Sequence, residues 1–504
     1  MRGIYSNKTK IRHMVFTEVA RMAFEGGDFT RIDNLPYKIV PGETGKYYDN
    51  IFLERAIVGE RLRATIGLPI RTMEEHALLS DGIDASAIAE KYYDPPLINI
   101  IKFACHKCPE NRVFISDACQ GCLEHPCIEV CPKNAIKMEN GRSVIDEEKC
   151  IKCGLCLNAC PYSAIVRQQR PCATACGMNA IKSDEYGRAE IDYDLCVSCG
   201  MCLVSCPFSA IVDKSQIFQT VLALKEDTPV YAAVAPSFIK QFGDNVTPEK
   251  FRAALKDIGF EDMVEVAIGA DLCAIQEAED FIENVPKNQP WMGTSCCPAW
   301  ASMAKRTLPN YKEYISMSLT PMVLTARFIK KQHPDSRVVF IGPCAAKKLE
   351  ASRRTVRSMV DFVLTFEELN GIFSAKGVDF ESLDVEPIQD VSSALGKGFA
   401  TSGGVANAVI EVLKEMKPEM DIKVTKAEGL DECKKMLLLA QAGKYDGYLL
   451  EGMACPGGCV GGAGVLCDSR KASAQLKMDM NNSSFTSPSD TEFSEYLSLI
   501  TKED

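Results

Sequence analysis

Apolar residues recur at helical spacing in two stretches near the start of the chain, "FTEVARMAFEGG" and "YYDNIFLERAIVGERLRATIGL", and the pattern stops at "YYDPP". Residues 1–100 are therefore expected to form a mostly helical segment, whose role the pattern leaves open. Within residues 225–468 the pattern changes. Short apolar runs ("PVYAAVAPSF", "MVEVAIG", "RVVFIG") read as buried strands, and amphipathic stretches ("TPEKFRAALKDIG", "GADLCAIQEAEDFIENV") alternate with them as helices. That alternation predicts an α/β domain. Residues 469–504, ending in "NNSSFTSPSDTEFSEYLSLITKED", read as a polar, mobile tail.

Composition narrows the class only slightly. Apolar residues make up 46% and charged residues 25% of 504 residues, as in an ordinary globular protein with two or three domains. A net charge of −11 argues against nucleic acid or an anionic membrane as partner. No apolar run approaches the roughly 18 residues of a membrane span. The start, "MRGIYSNKTKIRHMVF", is basic but leads into no apolar signal region. The cytoplasm is the expected compartment.

The 24 cysteines change the picture. Sixteen fall between Cys105 and Cys206, a clustering that reads as metal ligation in a reducing compartment rather than disulfides. "CIEVCPKNAI", "CLNACPYSAI", "CATACGMNAI" and "CLVSCPFSAI" share C-x3-C-x3-A-I, an internal repeat resembling the half-unit of a bacterial-type ferredoxin. Cys150, Cys153, Cys156 and Cys160 before Pro161 match C-x2-C-x2-C-x3-C-P, as do Cys196, Cys199, Cys202 and Cys206 before Pro207. In that run three close thiolates wrap one 4Fe–4S cube and the fourth reaches its neighbour. Zinc uses C-x2-C pairs as well, but not typically this four-cysteine run followed by proline. Cys119, Cys122, Cys127 and Cys131 form a third run with a longer second gap. Pairing within the fold places Cys119, Cys122, Cys127 and Cys160 on one cube, and Cys150, Cys153, Cys156 and Cys131 on the next. Cys196, Cys199 and Cys202 take Cys176, which leaves Cys172 and Cys206 in need of partners; Cys105 and Cys108 are available. Two counts stay open: four cubes using all sixteen thiols, or three with some of Cys105, Cys108, Cys172 and Cys176 free. His106 and His125 read as surface residues.

The α/β part carries three more cysteine motifs: "TSCCPAW" (294–300), "GPCAAKK" (342–348) and "EGMACPGGCVGGAG" (451–464). Cys297, Cys344, Cys455 and Cys459 sit on separate loops beside Gly or Pro, where the backbone can turn tightly around a bulky group. Four such thiols suit another cube. Cys296 is then surplus, and a surplus thiol beside a metal is a candidate proton carrier. Cys273, Cys433 and Cys467 fit no motif and read as buried structural thiols.

In their order and spacing these three motifs resemble the signatures of the iron-only (FeFe) hydrogenases, and the resemblance covers roughly residues 100–467. It implies tandem ferredoxin-like 4Fe–4S units (101–215) followed by a large α/β H-cluster domain (225–468), an α+β and α/β architecture. It implies that Cys297, Cys344, Cys455 and Cys459 hold a 4Fe–4S cube, with Cys459 bridging to a two-iron unit carrying CO, cyanide and an azadithiolate. Lys347 then binds one cyanide, Ala235, Pro236 and Ser237 lie against the other, and Met453 stands near the two-iron unit. The family's proton relay falls on Cys296, Glu277, Ser316 and Asp280; Glu277 and Asp280, three apart in a helical pattern, share a face. Some positions depart from the best-studied branch: Asp280 replaces a Glu, Gly342 a Met and Met322 a Gln.

The function this implies is 2H⁺ + 2e⁻ ⇌ H₂ at an H-cluster, with electrons relayed through three or four accessory 4Fe–4S cubes to or from a ferredoxin-type carrier, and with hydrogenase maturation factors as partners. The chain carries no G-x-G-x-x-G nucleotide fingerprint. The rival readings are a hydrogen or redox sensor of the same fold, and a non-catalytic iron–sulfur assembly factor.

Overall fold

A computed structural model of the chain describes residues 6–74, 76–353 and 356–498. Four parallel strands form one sheet in the order Asp262–Glu265, Val230–Val234, Arg337–Gly342, Phe362–Thr365. The two central strands are almost wholly buried, as their unbroken apolar runs require in a parallel sheet covered on both faces. A second parallel sheet orders Trp291–Gly293, Tyr448–Met453 and Lys423–Glu428. The expected helices are present as Pro248–Asp257, capped by the Thr247 side chain on Lys250 N, and Val266–Asn284. "MVEVAIG" divides: its strand ends at Glu265, and Val266–Gly269 opens the helix. A short apolar run has no period that separates a buried strand from a buried helix, so only packing decides.

The N-terminal helix Asn7–Glu25 starts with a capping box at Ser6 and buries Val15, Phe16, Val19 and Met22. These side chains share one core with Phe366, Leu369 and Phe373 of the helix Phe366–Lys376 and with the first sheet. Among the described residues before 100, the helices Asn7–Glu25, Leu35–Ile39, Ile51–Thr65 and Ile83–Ser86 alternate with irregular stretches, and their apolar side chains are built into the core of the α/β part.

The cysteine-rich part consists of four small antiparallel ladders. One pairs Ile98–Ile100 with Ile211–Asp213, and another pairs Asn111–Ile115 with Ile165–Gln169. The second ladder sets Asn111 opposite Gln169, and Arg170 N donates to Glu110 O at 3.4 Å. The chain therefore leaves at Cys108 and returns at Cys172, with residues 109–171 forming a loop-out unit that contains its own ladders.

Residues 469–504, expected as a mobile tail, are ordered as far as they are described. Ser469–Asn481 is a helix whose Ala472, Leu476 and Met480, spaced four apart, pack with Ala400 and Val460. Phe493 and Tyr496 stack edge-on against Phe328, with ring centroids 5.2 and 5.3 Å away. Polar composition hid these few anchors. Among the described residues no helix is long and apolar enough to cross a membrane.

Candidate functional site

In a parallel sheet the carboxyl ends of all strands lie on one side, which is where α/β folds place ligands. Each chemical motif here begins at such an end. Ala235–Ser237 follows Val230–Val234, Cys296 and Cys297 follow Trp291–Gly293, Cys344 follows Arg337–Gly342, and Cys455 follows Tyr448–Met453. Together they line one cavity that includes Cys297, Cys344, Cys455 and Cys459 with Cys296, Lys347, Met453, Ala235, Pro236 and Ser237. The "TSCCPAW" loop is closed on itself by Trp300, whose Nε1 donates to Thr294 O at 3.0 Å. The structure places two departures from the best-studied branch and gives a reason for one. Met322 lines the cavity wall. At Gly342 a Cβ would meet the Phe340 ring at 2.7 Å, so Phe340 takes the space that a side chain at 342 would fill.

The residues fit a multi-iron group. Four thiols face the cavity, whereas among the described residues no three His, Cys, Asp or Glu side chains converge as a single ion would require. Ser237 Oγ lines the cavity, is buried and has no hydrogen-bond partner, so it offers itself to whatever is bound. Burial and neighbouring thiols push Cys344 up to about 11 and Cys459 up to about 12, so binding metal there releases protons. Lys347 Nζ donates to Glu350 Oε2 at 2.7 Å and to Cys296 O at 3.4 Å. Burial is the largest single influence and opposes its charge, but the Glu350 carboxylate together with the Cys344 and Cys296 thiols holds its pKa above the ordinary lysine value.

The relay residues occur in two groups. Glu277, fully buried, accepts from Ser295 N at 2.7 Å and Ser295 Oγ at 3.0 Å through Oε1, while Oε2 has no partner. Burial, only partly offset by those bonds, raises its pKa to about 7. Burial and the adjacent Glu277 raise the Cys296 thiol well above its ordinary value. Farther out, Ser316 Oγ and Ser318 Oγ each donate to Asp280 Oδ2 at 2.9 Å and lie 2.8 Å from one another. Ser316 thus faces Asp280, and it is Ser295 Oγ that touches Glu277, also reaching Ser318 O at 2.9 Å. Ser295 and Ser318 were missed in the sequence. A serine adjoining the two thiols and one in alternation with Ser316 were the available signals.

The accessory thiols gather as well. Cys131 shares a pocket with Cys150, Cys153 and Cys156. Cys176 lies close enough to Cys196, Cys199 and Cys202 to oppose their ionisation. Cys105, Cys108, Cys172 and Cys206 line a third pocket, so the loop-out of residues 109–171 interrupts a single four-cysteine run, Cys105, Cys108, Cys172 and Cys176. Cys119 and Cys127 both approach Ser143. Backbone amides donate to sulfur at Cys105, Cys131, Cys150, Cys176, Cys196 and Cys206. Cys199 also lines the main cavity, and the next residue, Gly200 (φ 78°), abuts Ala345 and Ala463; a Cβ there would stand 2.7 Å from the Ala463 Cβ. Cys273 and Cys433 are buried, but Cys467 is only half-buried and donates to Asp468 O. His106 is exposed and stacks on Phe208 at 3.8 Å.

Residues 228–463 match the family model for the C-terminal domain of the iron-only hydrogenase large subunit, and residues 143–166 and 188–211 match 4Fe-4S binding domains. Iron hydrogenase 1 of Clostridium pasteurianum is 28% identical over 451 residues, 77% of each chain. The periplasmic [Fe] hydrogenase large subunit of Nitratidesulfovibrio vulgaris is 30% identical over 368 residues, 64% of this chain and 85% of that one. A probable cytosolic Fe-S cluster assembly factor of Aedes aegypti is 25% identical over 291 residues, 47% of this chain and 61% of that one.

Proposed function

We propose, from the premise that this chain belongs to the iron-only hydrogenase family, that it catalyses the reversible reaction 2H⁺ + 2e⁻ ⇌ H₂. The observation that carries this reading is the convergence of Cys297, Cys344, Cys455, Cys459, Lys347 and the surplus thiol Cys296 on one buried cavity. The H-cluster, when bound, supplies the redox chemistry of hydrogen. Cys297, Cys344, Cys455 and Cys459 would hold it, with Cys459 the thiol shared between its two parts. Lys347 would present a charge-assisted donor to one cyanide and Ser237 a hydroxyl to the other, while Met453, Ala235 and Pro236 line the cavity wall around them. Cys296 exchanges protons at the cavity and Glu277 Oε2 holds them behind it. Ser295 orients Glu277, and the Ser316–Ser318–Asp280 group carries protons toward the surface. Cys176, Cys196, Cys199 and Cys202 would hold the accessory cube nearest the cavity, which Cys199 also lines, and the accessory cubes would supply one-electron exchange with a ferredoxin-type carrier. Maturation factors deliver the two-iron unit.

The similarity to an assembly factor motivates a second, non-catalytic reading, in which only ordinary cubes are held. Glu277, buried near Cys296 with Oε2 left without a partner, favours catalysis, because a structural role leaves no reason to bury a carboxyl oxygen unpaired. Infrared spectra of the protein after maturation decide between them. CO and cyanide bands together with hydrogen evolution are expected; ordinary cubes without these bands would support the assembly factor.

Two further results are expected. Before maturation, the protein should carry about 20 iron atoms, four accessory cubes plus the cube of the H-cluster; a value of about 16 would remove the site of Cys105, Cys108, Cys172 and Cys206. Lys347→Ala should retain the accessory cubes but lose the two-iron unit or hold it loosely, since a cyanide in a dry pocket needs a charge-assisted donor. Unchanged CO and cyanide bands in that variant would assign Lys347 solely to its pair with Glu350.

A further inference from the structure

The pocket of Cys105, Cys108, Cys172 and Cys206 differs from the other accessory sites in its charges. Its remaining lining includes Ile100, Ala189, Phe208, Ala210 and Ile211, with the exposed His106 at one edge, and Cys172 and Cys206 are the buried pair of its thiols. Three cations close around it from separate elements. Arg170, 2% exposed, donates Nε and Nη2 to Cys108 O at 3.1 and 2.9 Å. Arg61, 5% exposed and on the helix Ile51–Thr65, donates Nη2 to Ser209 O, three residues beyond Cys206. Lys8, on the N-terminal helix, donates Nζ to Leu203 O at 2.6 Å, Val204 O at 3.0 Å and Cys206 O at 3.2 Å.

Among the described residues neither Arg61 nor Lys8 has a carboxylate in ion-pair range, and Arg170 has only Glu110, an exposed side chain 4.0 Å away. The acids nearest in the fold are already engaged: Asp213 and Glu367 by Arg12, and Asp213 and Glu368 by Lys348. A buried guanidinium without a counter-charge is strongly unfavourable. The thiols are the groups able to supply that charge, and four thiolates around a 4Fe–4S cube give the site a net charge of about −2 when oxidised and about −3 when reduced. The cations stabilise the second state more than the first, and the two buried guanidiniums, Arg61 and Arg170, are poorly screened. Elsewhere the comparable cations are in water. Arg306 donates to Cys196 O from an exposed position, and Arg142 is paired with Asp117 and exposed.

We propose that Lys8, Arg61 and Arg170 give the site of Cys105, Cys108, Cys172 and Cys206 the highest reduction potential of the four accessory sites, so that it stores the first electron delivered to the chain. The step is a one-electron transfer from the ferredoxin-type carrier, which is oxidised by one electron while the cube is reduced by one, with no bond made or broken. The store suits the proposed reaction, which consumes two electrons where the carrier brings one at a time. This inference rests on the four-cube reading above, and on this basis the three cations are positioning residues.

The test is a redox titration followed by electron paramagnetic resonance on protein carrying its cubes but not the two-iron unit. One reduced-cube signal is expected to appear at a higher potential than the rest, and Cys105→Ser should alter that signal and no other. Arg61→Met should lower its potential by about 59 mV or more, a tenfold change in the ratio of reduced to oxidised cube for one electron. Lys8→Met, on a half-exposed side chain, should shift the same signal in the same direction and serves if Arg61→Met does not fold. Arg306→Met should leave it in place. Cubes that titrate together, or a high-potential signal indifferent to both Lys8 and Arg61, would overturn the proposal while leaving the hydrogenase reading intact. An iron content showing only three accessory cubes would overturn it through the four-cube reading instead.

Discussion

Cys296→Ala is expected to retain every cube and the CO and cyanide bands while losing turnover by about 10²–10⁴-fold, the loss that follows removal of a positioned acid–base group. The side chain lines the cavity beside Cys297 yet is surplus to the four thiols that fit a cube. Burial and Glu277 keep its thiol protonated, so it arrives at the cavity already carrying the proton it would hand over. Cys297→Ala, one residue away, is expected to have the opposite signature: loss of the cluster itself. The adjacent thiols diverge because Cys297 forms the start of the helix Pro298–Thr307 while Cys296 ends the loop from the strand Trp291–Gly293. Hydrogen evolution and infrared spectra measured on both variants separate the roles. Near-parental turnover in Cys296→Ala with intact bands would leave the thiol only a structural place.

Glu277→Gln is expected to fall by a similar factor of about 10²–10⁴ in turnover, because the amide keeps the shape and the bonds from Ser295 but cannot release and regain a proton. Its second signature is in stability. Burial raises the folded-state pKa of Glu277 from 4.5 to about 7. Between those values the native state binds more protons than the unfolded chain, so stability contributed by the neutral acid declines as pH rises from about 4.5 to about 7 and then levels off. The glutamine variant loses that dependence and should be at least as stable as the parent above pH 7. Thermal unfolding measured across this range checks it. An unchanged pH profile would mean that Glu277 ionises freely in the fold, and with it the argument for a proton held at Oε2 would fail.

Much of the site could be read along the chain because its chemistry is local. A cube needs thiols at loop spacing, so Cys150–Cys160 and Cys196–Cys206 announce themselves, as do the loops around Cys297, Cys344, Cys455 and Cys459. The parallel strands were equally legible, since burial on both faces demands unbroken apolar runs such as "VYAAV" and "RVVFIG". The C-terminal segment was not, because three apolar residues four apart are enough to dock a helix without changing the polar look of its sequence.

What the sequence determined by itself was the inventory: which residues could bind iron, which thiol was surplus, and which strands would be buried. The tertiary structure decided who faces whom. Cys108 meets Cys172 only because the ladder from Asn111–Gln169 closes a loop-out of more than sixty residues, and no spacing rule spans such a closure. Ser295 reaches Glu277, and Ser318 reaches Asp280, only when the loops after two strands fold against the helix Val266–Asn284. Burial likewise belongs to the fold. Glu277 and Asp280 look like any helix-surface pair in one dimension, and it is the water-free surround of Glu277 that raises its pKa and makes it fit to hold a proton.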